Sequence, residues 1–302
     1  MTKKFKRLVF GAVFLFLVVI GIFLSRGCLK SQPLGLPRLP REEEPVSPFV
    51  EVSPFVEHEQ KQPSQELLKI ALLTDLHNSW ENLKQAVDRV DQSDFDFVIF
   101  LGDLTNLGSP EEFEEGKKLL DSLKIPFYIL SGNHDVWYAK EYNKAHDFYF
   151  NQFFASNFPP CFQEKSYNFV LIDNSEEQRG IRQSDWRNLE VCLQKDLPAL
   201  VFLHEPIYHP ASDLLMGKYS KLVATQAAQL RQLFCNEKVK LVVSGHLHSF
   251  SKYFYDCEDN YQLPMIVVGA LTVERNFQTP RFLQLTIFDN GNFEEKEILL
   301  KN

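Results

Sequence analysis

Short apolar runs alternate along this chain with stretches whose apolar residues recur at helical spacing. Leu68-Lys-Ile-Ala-Leu-Leu-Thr74, Phe97-Val-Ile-Phe-Leu101 and Pro126-Phe-Tyr-Ile-Leu-Ser131 have the length and composition of strands. Between the first two, Trp80, Leu83, Val87 and Val90 mark one face of a helix, with Ser79 placed to cap it. Between the second and third, Ser109-Pro-Glu-Glu112 reads as a capping box with proline in the first turn, opening a helix that carries Phe113, Leu119, Leu120 and Leu123. Strand–helix–strand–helix–strand implies parallel strands. Residues 136–163 are aromatic-rich and irregular, and read as a long loop or helical excursion. Regularity resumes with a strand at Tyr167–Asp173, then a helix capped by Ser184 with Trp186, Leu189 and Leu193 on one face. A strand at Ala199–Leu203, a helix around 220–235 and a strand at Leu241–Ser244 come next, and the spans 263–272, 281–288 and 293–299 read as three final strands.

The first 65 residues follow a different pattern. Lys3, Lys4, Lys6 and Arg7 precede Leu8–Leu24, a run without a charge. A cleaved signal peptide would want small residues at a cleavage site, and none follows Leu24. A lipoprotein signal ending at Cys28 would not carry Ser25 and Arg26 before Gly27. Residues 1–28 are therefore expected to form an uncleaved signal anchor or transmembrane helix. The basic flank places the N-terminus in the cytoplasm and the rest of the chain outside, at the cell membrane. Residues 29–65 read as a Pro-rich linker, with Pro33, Pro37, Pro40, Pro45, Pro48, Pro54 and Pro63 spread through it. Val46-Ser-Pro-Phe-Val-Glu51 is duplicated at once as Val52–Glu57, which reads as an extended spacer. Residues 66–302 then make one domain.

Composition narrows this picture a little. The 302 residues carry a formal charge of −8, so no specific nucleic-acid binding is expected. Of the five cysteines, none forms a Cys-x-x-Cys pair. Cys161, Cys192, Cys235 and Cys257 are either two disulfides in an exported domain or buried thiols, and spacing does not choose.

The chemistry gathers where strands end. Five apolar runs each finish in residues suited to metal ligation: Asp75 and His77, then Asp103, then Asn133 and His134, then His204, then His246 and His248. Taken singly, each has an ordinary explanation as a cap, a turn residue or a packed histidine. Together they supply carboxylate, imidazole and amide oxygen at the carboxyl ends of strands, where α/β sheets bind ligands. The count exceeds what one tetrahedral ion needs and fits two ions about 3.5–4 Å apart sharing a carboxylate.

These blocks, Asp75-Leu-His77, Gly102-Asp103, Gly132-Asn-His-Asp135, His204 and Gly245-His-Leu-His248, resemble in order and type the signature of the calcineurin-like metallophosphoesterase superfamily. The resemblance covers roughly residues 67–300. It implies an α/β fold, a four-layer sandwich of two mixed β-sheets flanked by helices, with the strands at 263–299 in the second sheet. It implies two divalent metal ions (Mn, Fe or Zn). Asp75, His77 and His248 would hold one, Asn133, His204 and His246 the other, and Asp103 would bridge them. His134 would donate to the phosphate or leaving group, and Asp135 would orient His134. The implied activity is hydrolysis of a phosphomonoester or phosphodiester by metal-bound hydroxide.

Gly102-Asp-Leu-Thr-Asn lacks the valine-aspartate-arginine-glycine continuation of the Ser/Thr protein phosphatases. It is similar to the bacterial branch that includes class III cyclic-nucleotide phosphodiesterases. The N-terminal anchor departs from that branch, since it would place the site outside the cytoplasm. A catalytically silent metal-binding module and a tethered interaction protein acting through the linker are the alternative readings.

Overall fold

A computed structural model describes residues 64–194 and 196–301. The expected anchor (1–28) and nearly all of the expected linker (29–65) lie outside the described residues. No described helix is long and apolar enough to cross a membrane.

Two mixed sheets face each other. The first takes β1 (Glu66–Leu73), β2 (Phe97–Phe100), β3 (Phe127–Ile129), β10 (Arg281–Phe288) and β11 (Phe293–Leu299), in the order β11-β10-β1-β2-β3. As the alternation predicts, β1, β2 and β3 are parallel, while β10 runs antiparallel to both β1 and β11. The second sheet takes β4 (Cys161–Glu164), β5 (Tyr167–Leu171), β6 (Ala199–Phe202), β7 (Leu241–Ser244), β8 (Ser251–Asp256) and β9 (Gln262–Val267), in the order β4-β5-β6-β7-β9-β8. Its four central strands are parallel and both edges antiparallel.

Strands buried on both faces read as continuous apolar runs, and Leu68, Ile70, Leu72, Phe97, Ile99, Phe169, Phe202, Val243 and Leu285 fill the space between the sheets. The outer face of the first sheet packs on α1 (Trp80–Asp91), α2 (Pro110–Leu120) and α4 (Phe148–Phe154), through Leu83, Val87, Phe113, Phe150 and Phe154. The outer face of the second packs on α5 (Gln183–Leu193) and α6 (Lys221–Asn236), through Leu189, Val223, Leu230 and Phe234. The layers are helix, sheet, sheet, helix.

Several expectations need correction. The late strands do not all join the second sheet: β10 and β11 return to the first and leave β9 with β7. Residues 268–272 are not part of β9. They bridge the sheets instead, with Val268 N–H donating to the Ser244 carbonyl, and Leu271 and Thr272 N–H donating to Thr74 and Asp75. β4 and β8 are edge strands with mixed burial, which blurs their pattern. Helix α5 begins at Gln183, so Ser184 lies inside it and Arg182 is its N-cap. Ser79 is the N-cap of α1 but makes no side-chain cap bond, and its hydroxyl reaches Thr272 Oγ1 instead. The capping box of α2 is present as expected. The aromatic excursion contains α3 (Trp137–Glu141) and α4. The four domain cysteines form two disulfides, Cys161–Cys192 tying β4 to α5 and Cys235–Cys257 tying α6 to the end of β8.

Candidate metal centre

The carboxyl ends of β1, β2 and β3 in one sheet and of β6 and β7 in the other converge on one cleft. The turns that do this are unusual. Asp75, His77, Asp103, His246 and His248 all have φ between +48° and +71°, a left-handed conformation costing about 1–2 kcal/mol for a residue with a Cβ. Neighbouring backbone holds them there. Asp75 N–H donates to the Gly102 carbonyl at 3.0 Å, and Leu76 and His77 N–H both donate to the Asp103 carbonyl. Gly132 is required by close approach, since a Cβ there would sit 2.2 Å from Asp103 Oδ1.

His246 and His248 are therefore not two positions on an extended strand. β7 ends at Ser244, and the left-handed turns send the two rings apart. His246 Nδ1 lies 3.1 Å from Asn133 Oδ1 and 3.3 Å from His204 Nε2. His248 Nε2 lies 3.1 Å from His77 Nε2 and 3.6 Å from Asp75 Oδ1.

Each buried aspartate splits its oxygens between two tasks. Asp75 Oδ2 accepts from the His246 backbone N–H at 2.9 Å and from Thr74 Oγ1 at 2.9 Å, while Oδ1 is buried without a hydrogen-bond partner. Asp103 Oδ1 accepts from His134 N–H at 2.8 Å. Asp103 Oδ2 lies 3.3 Å from His204 Nε2 and 3.6 Å from His77 Nε2.

The histidines are oriented from behind. His204 Nδ1 donates to the Leu101 carbonyl at 2.8 Å and His248 Nδ1 to the Glu274 carbonyl at 3.1 Å. A carbonyl only accepts, so both Nδ1 atoms carry a proton and both Nε2 atoms face the cleft as donors of a lone pair. The result is two donor sets sharing one atom. The first is Asp75 Oδ1, His77 Nε2, Asp103 Oδ2 and His248 Nε2. The second is Asp103 Oδ2, Asn133 Oδ1, His204 Nε2 and His246 Nδ1, with His204 Nε2 3.2 Å from Asn133 Oδ1.

Two donors at about 2.1 Å from one ion, at tetrahedral or octahedral angles, lie about 3.0–3.4 Å apart. The second set has that spacing and the first is slightly wider, so these residues fit divalent metal.

Electrostatics agrees. Burial holds the His77 imidazole down to about 4, and burial together with His204 holds His246 to about 4, so both rings are neutral near pH 7, the form a metal would need. Burial would raise the Asp103 carboxyl, but His204 and His77 override it and keep it ionised. Burial would lower His204, and Asp103 overrides it and pushes it up to about 10. A site that concentrates carboxylate charge this deeply takes up positive charge, as a proton on His204 or as a cation. Glu205 adds no negative charge nearby near neutral pH, since burial pushes its carboxyl up to about 8.

His134 lines the same cleft, edge-on to His77 with ring centroids 4.6 Å apart. Its Nδ1 donates to the Asn106 carbonyl at 2.9 Å, which leaves Nε2 as its remaining nitrogen. The expected Asp135–His134 contact is absent from the hydrogen bonds of both residues. Asp135 instead accepts from the Gly132 and Thr105 N–H groups and the Thr105 hydroxyl at 2.7–2.9 Å, clamping the β2 and β3 turns together. Asn106, not Asp135, orients His134.

The cleft opens into a cavity of about 570 Å³ whose walls include Trp137, Glu177, Leu214, Tyr219, Arg275 and Phe277. The sequence reading missed these wall residues. Trp137 had a signal, since it stands two residues after the Gly132–Asp135 block; the others sit on loops without periodicity. His146, in the aromatic-rich excursion, pairs with Asp173 at 2.9 Å in a second cluster with Asp147.

The calcineurin-like phosphoesterase family model matches residues 68–250, and the chain belongs to that family of metal-dependent phosphoric ester hydrolases. A 3',5'-cyclic-nucleotide phosphodiesterase of Nostoc sp. is 26% identical over 76% of this chain and 91% of its own length. A probable glycerophosphodiester phosphodiesterase of Arcobacter nitrofigilis is 26% identical over 52% of this chain and 58% of its own. Among solved structures, the purple acid phosphatase of yellow lupin superposes with a TM-score of 0.56 at 15% identity. The match covers 77% of this chain and about half (51%) of the lupin chain, a likeness of fold.

Proposed function

We propose that this chain hydrolyses a phosphodiester at two divalent metal ions, in a domain held outside the cytoplasmic membrane by its N-terminal segment. The observation that carries the reading is the shared Asp103 Oδ2, within 3.6 Å of His77 Nε2 on one side and 3.3 Å of His204 Nε2 on the other. Asp75, His77 and His248 would hold one ion and Asn133, His204 and His246 the other, with Asp103 contributing to both sets. When bound, such a pair polarises the phosphoryl oxygens and lowers the pKa of coordinated water.

The chain's own residues do the rest. The Leu101 and Glu274 carbonyls fix the tautomers of His204 and His248, so the donors meet their ions without rearrangement. Asp135 locks Gly132 against Thr105, which sets the height of Asn133. His134, held by the Asn106 carbonyl, presents Nε2 to the oxygen that leaves with the alcohol, and a proton on Nε2 neutralises the departing alkoxide.

A diester is favoured by the two relatives, each named as a phosphodiesterase. Placement outside the cytoplasm is supported by the pairing of all four domain cysteines, since disulfides persist in oxidising compartments. The basic flank before Leu8–Leu24 points the same way. The deciding experiment is metal analysis of the purified chain with parallel assays of bis(p-nitrophenyl) phosphate and p-nitrophenyl phosphate. About two divalent ions per chain and a preference for the diester are expected. A chain that neither binds nor is activated by divalent metal would overturn the reading.

A further inference from the structure

The floor of the cavity is charged, and its outer wall, although it also carries Glu177 and Arg275, is mostly apolar. Trp137 packs on His134 with ring centroids 3.8 Å apart and is 38% exposed. Leu214 and Tyr219 are 47% and 62% exposed, and Phe277 is entirely exposed. The sequence holds 27 phenylalanines, and those of the core, such as Phe113, Phe150 and Phe169, are at most 1% exposed. Phe277 is therefore not a spare core residue. An apolar group left in water at the mouth of a binding site is the mark of a surface that something apolar covers.

Both loops that carry these side chains are held in place. In the stretch carrying Phe277, Asn276 Nδ2 donates to the Thr272 carbonyl at 2.8 Å, Gln278 N–H donates to Asn276 Oδ1 at 2.9 Å, and Gln278 Oε1 accepts from Phe250 N–H at 3.1 Å. The same stretch supplies the Glu274 carbonyl that orients His248. In the other loop, Met216 is buried and its N–H donates to the Pro206 carbonyl at 3.0 Å, while Leu214 and Tyr219 on either side project outward. The rings are presented on braced backbone, and Phe277 sits on a segment tied to the donor histidine His248. Immobilised aromatic surface binds at low entropic cost.

The geometry points to a specificity wall: Trp137, Leu214, Tyr219 and Phe277 seat a bulky apolar group carried by the phosphodiester whose phosphate occupies the cleft. The inference rests on the proposed phosphodiesterase reading and adds the chemistry of the substrate's second substituent. Continuity with the cleft identifies the occupant as part of the substrate, because the wall begins on His134 itself. A small diester would leave the wall in water. Two sources share the chemistry, an acyl or alkyl chain and an aromatic base.

Three diesters with one leaving group separate these cases: methyl, octyl and thymidine-5'-yl p-nitrophenyl phosphate, assayed on the metal-loaded full chain. The wall favours at least one of the larger diesters over the methyl diester by about tenfold or more in kcat/KM, the size expected from burying roughly 50 Å² of apolar surface. Preference for octyl identifies a lipid-like substituent, and preference for thymidine an aromatic base. Combining Leu214→Ser, Tyr219→Ser and Phe277→Ser brings the ratio towards one, and an unchanged thermal midpoint shows that these surface changes leave the fold intact. Equal kcat/KM for all three diesters, or a ratio that survives the triple substitution, overturns the inference alone. Absence of turnover for every diester overturns the phosphodiesterase reading and the wall with it.

Discussion

Two buried clusters in this domain use the same residue types and reach opposite ends. In the cleft, Asp75, His77, Asp103, His204, His246 and His248 aim like against like: nitrogen faces nitrogen at 3.1 Å and 3.3 Å, and Asp75 Oδ1 has no hydrogen-bond partner. Beside it, His146, Asp147 and Asp173 pair donors with acceptors. His146 meets Asp173 Oδ2, Asp173 Oδ1 accepts from the Ser131 and Ser175 hydroxyls and the Ser175 N–H, and Asp147 accepts from Arg182 and from Asn151 Nδ2. Proximity alone makes both look like metal sites. Directionality separates them, because a cation satisfies lone pairs that protein groups leave facing one another, whereas in the second cluster the facing groups are donor and acceptor. It is a structural knot that holds Ser131, and through it the start of the Gly132–Asn133 turn.

The sharpest way to break the contrast is Asp103→Asn. Losing partners around a ligand typically costs 10–100-fold in affinity or activity, and Asp103 serves both donor sets, so activity should fall to background and bound metal should drop by metal analysis. His134→Ala should lower turnover by about 10²–10⁴-fold with metal content retained. Normal turnover by that variant would remove His134 from the reaction.

In the second cluster the effect should fall on stability. Asp173→Asn is expected to cost about 3 kcal/mol in denaturant unfolding, since it strips a buried pair of one partner, while the folded protein keeps its metal. A loss of metal there without a loss of stability would erase the distinction between the clusters. The smallest effect is in pH. Burial opposes the ionised forms of Asp173 and His146, but their mutual contact overrides it, holding Asp173 below its ordinary 3.8 and His146 above its ordinary 6.5. The Asp173 contribution is present above 3.8 and lost as pH falls through its lowered folded value. The His146 contribution is present below 6.5 and lost as pH rises through its raised folded value. The stability gap between the wild type and Asp173→Asn should therefore be widest from about pH 4 to 6.5 and narrow on both sides.

What was legible in the sequence was what depends on local pattern. Three parallel strands at the start, the capping box at Ser109 and five strand ends rich in ligating residues all follow from spacing. Sheet membership was not legible. β10 joins β1 across more than two hundred residues, and nothing in Arg281–Phe288 distinguishes a neighbour of β1 from a neighbour of β9. The directions of His246 and His248 were not legible either, because left-handed φ at non-glycine residues is set by tertiary hydrogen bonds, here the Asp75 carboxylate on the His246 N–H. The orienting role given to Asp135 failed for a similar reason, since adjacency in sequence does not say which backbone groups a carboxylate will reach. The apolar wall was hidden because loop residues carry no period.

The return of β10 to β1 has a consequence for biosynthesis. β1 is flanked on one side by β2, the next strand in the chain, and on the other by β10, made more than two hundred residues later. Its turn at Asp75 also accepts the Thr272 N–H from the segment that leads into β10. All the proposed ligands have been synthesised by His248, yet the turn that presents Asp75 and His77 is only half supported until residues 272–288 arrive. A chain released from the ribosome before Arg281 would contain every ligand and still lack the centre. Assembly of the two donor sets therefore waits on the pairing of β10 with β1, and not on synthesis of the last donor residue.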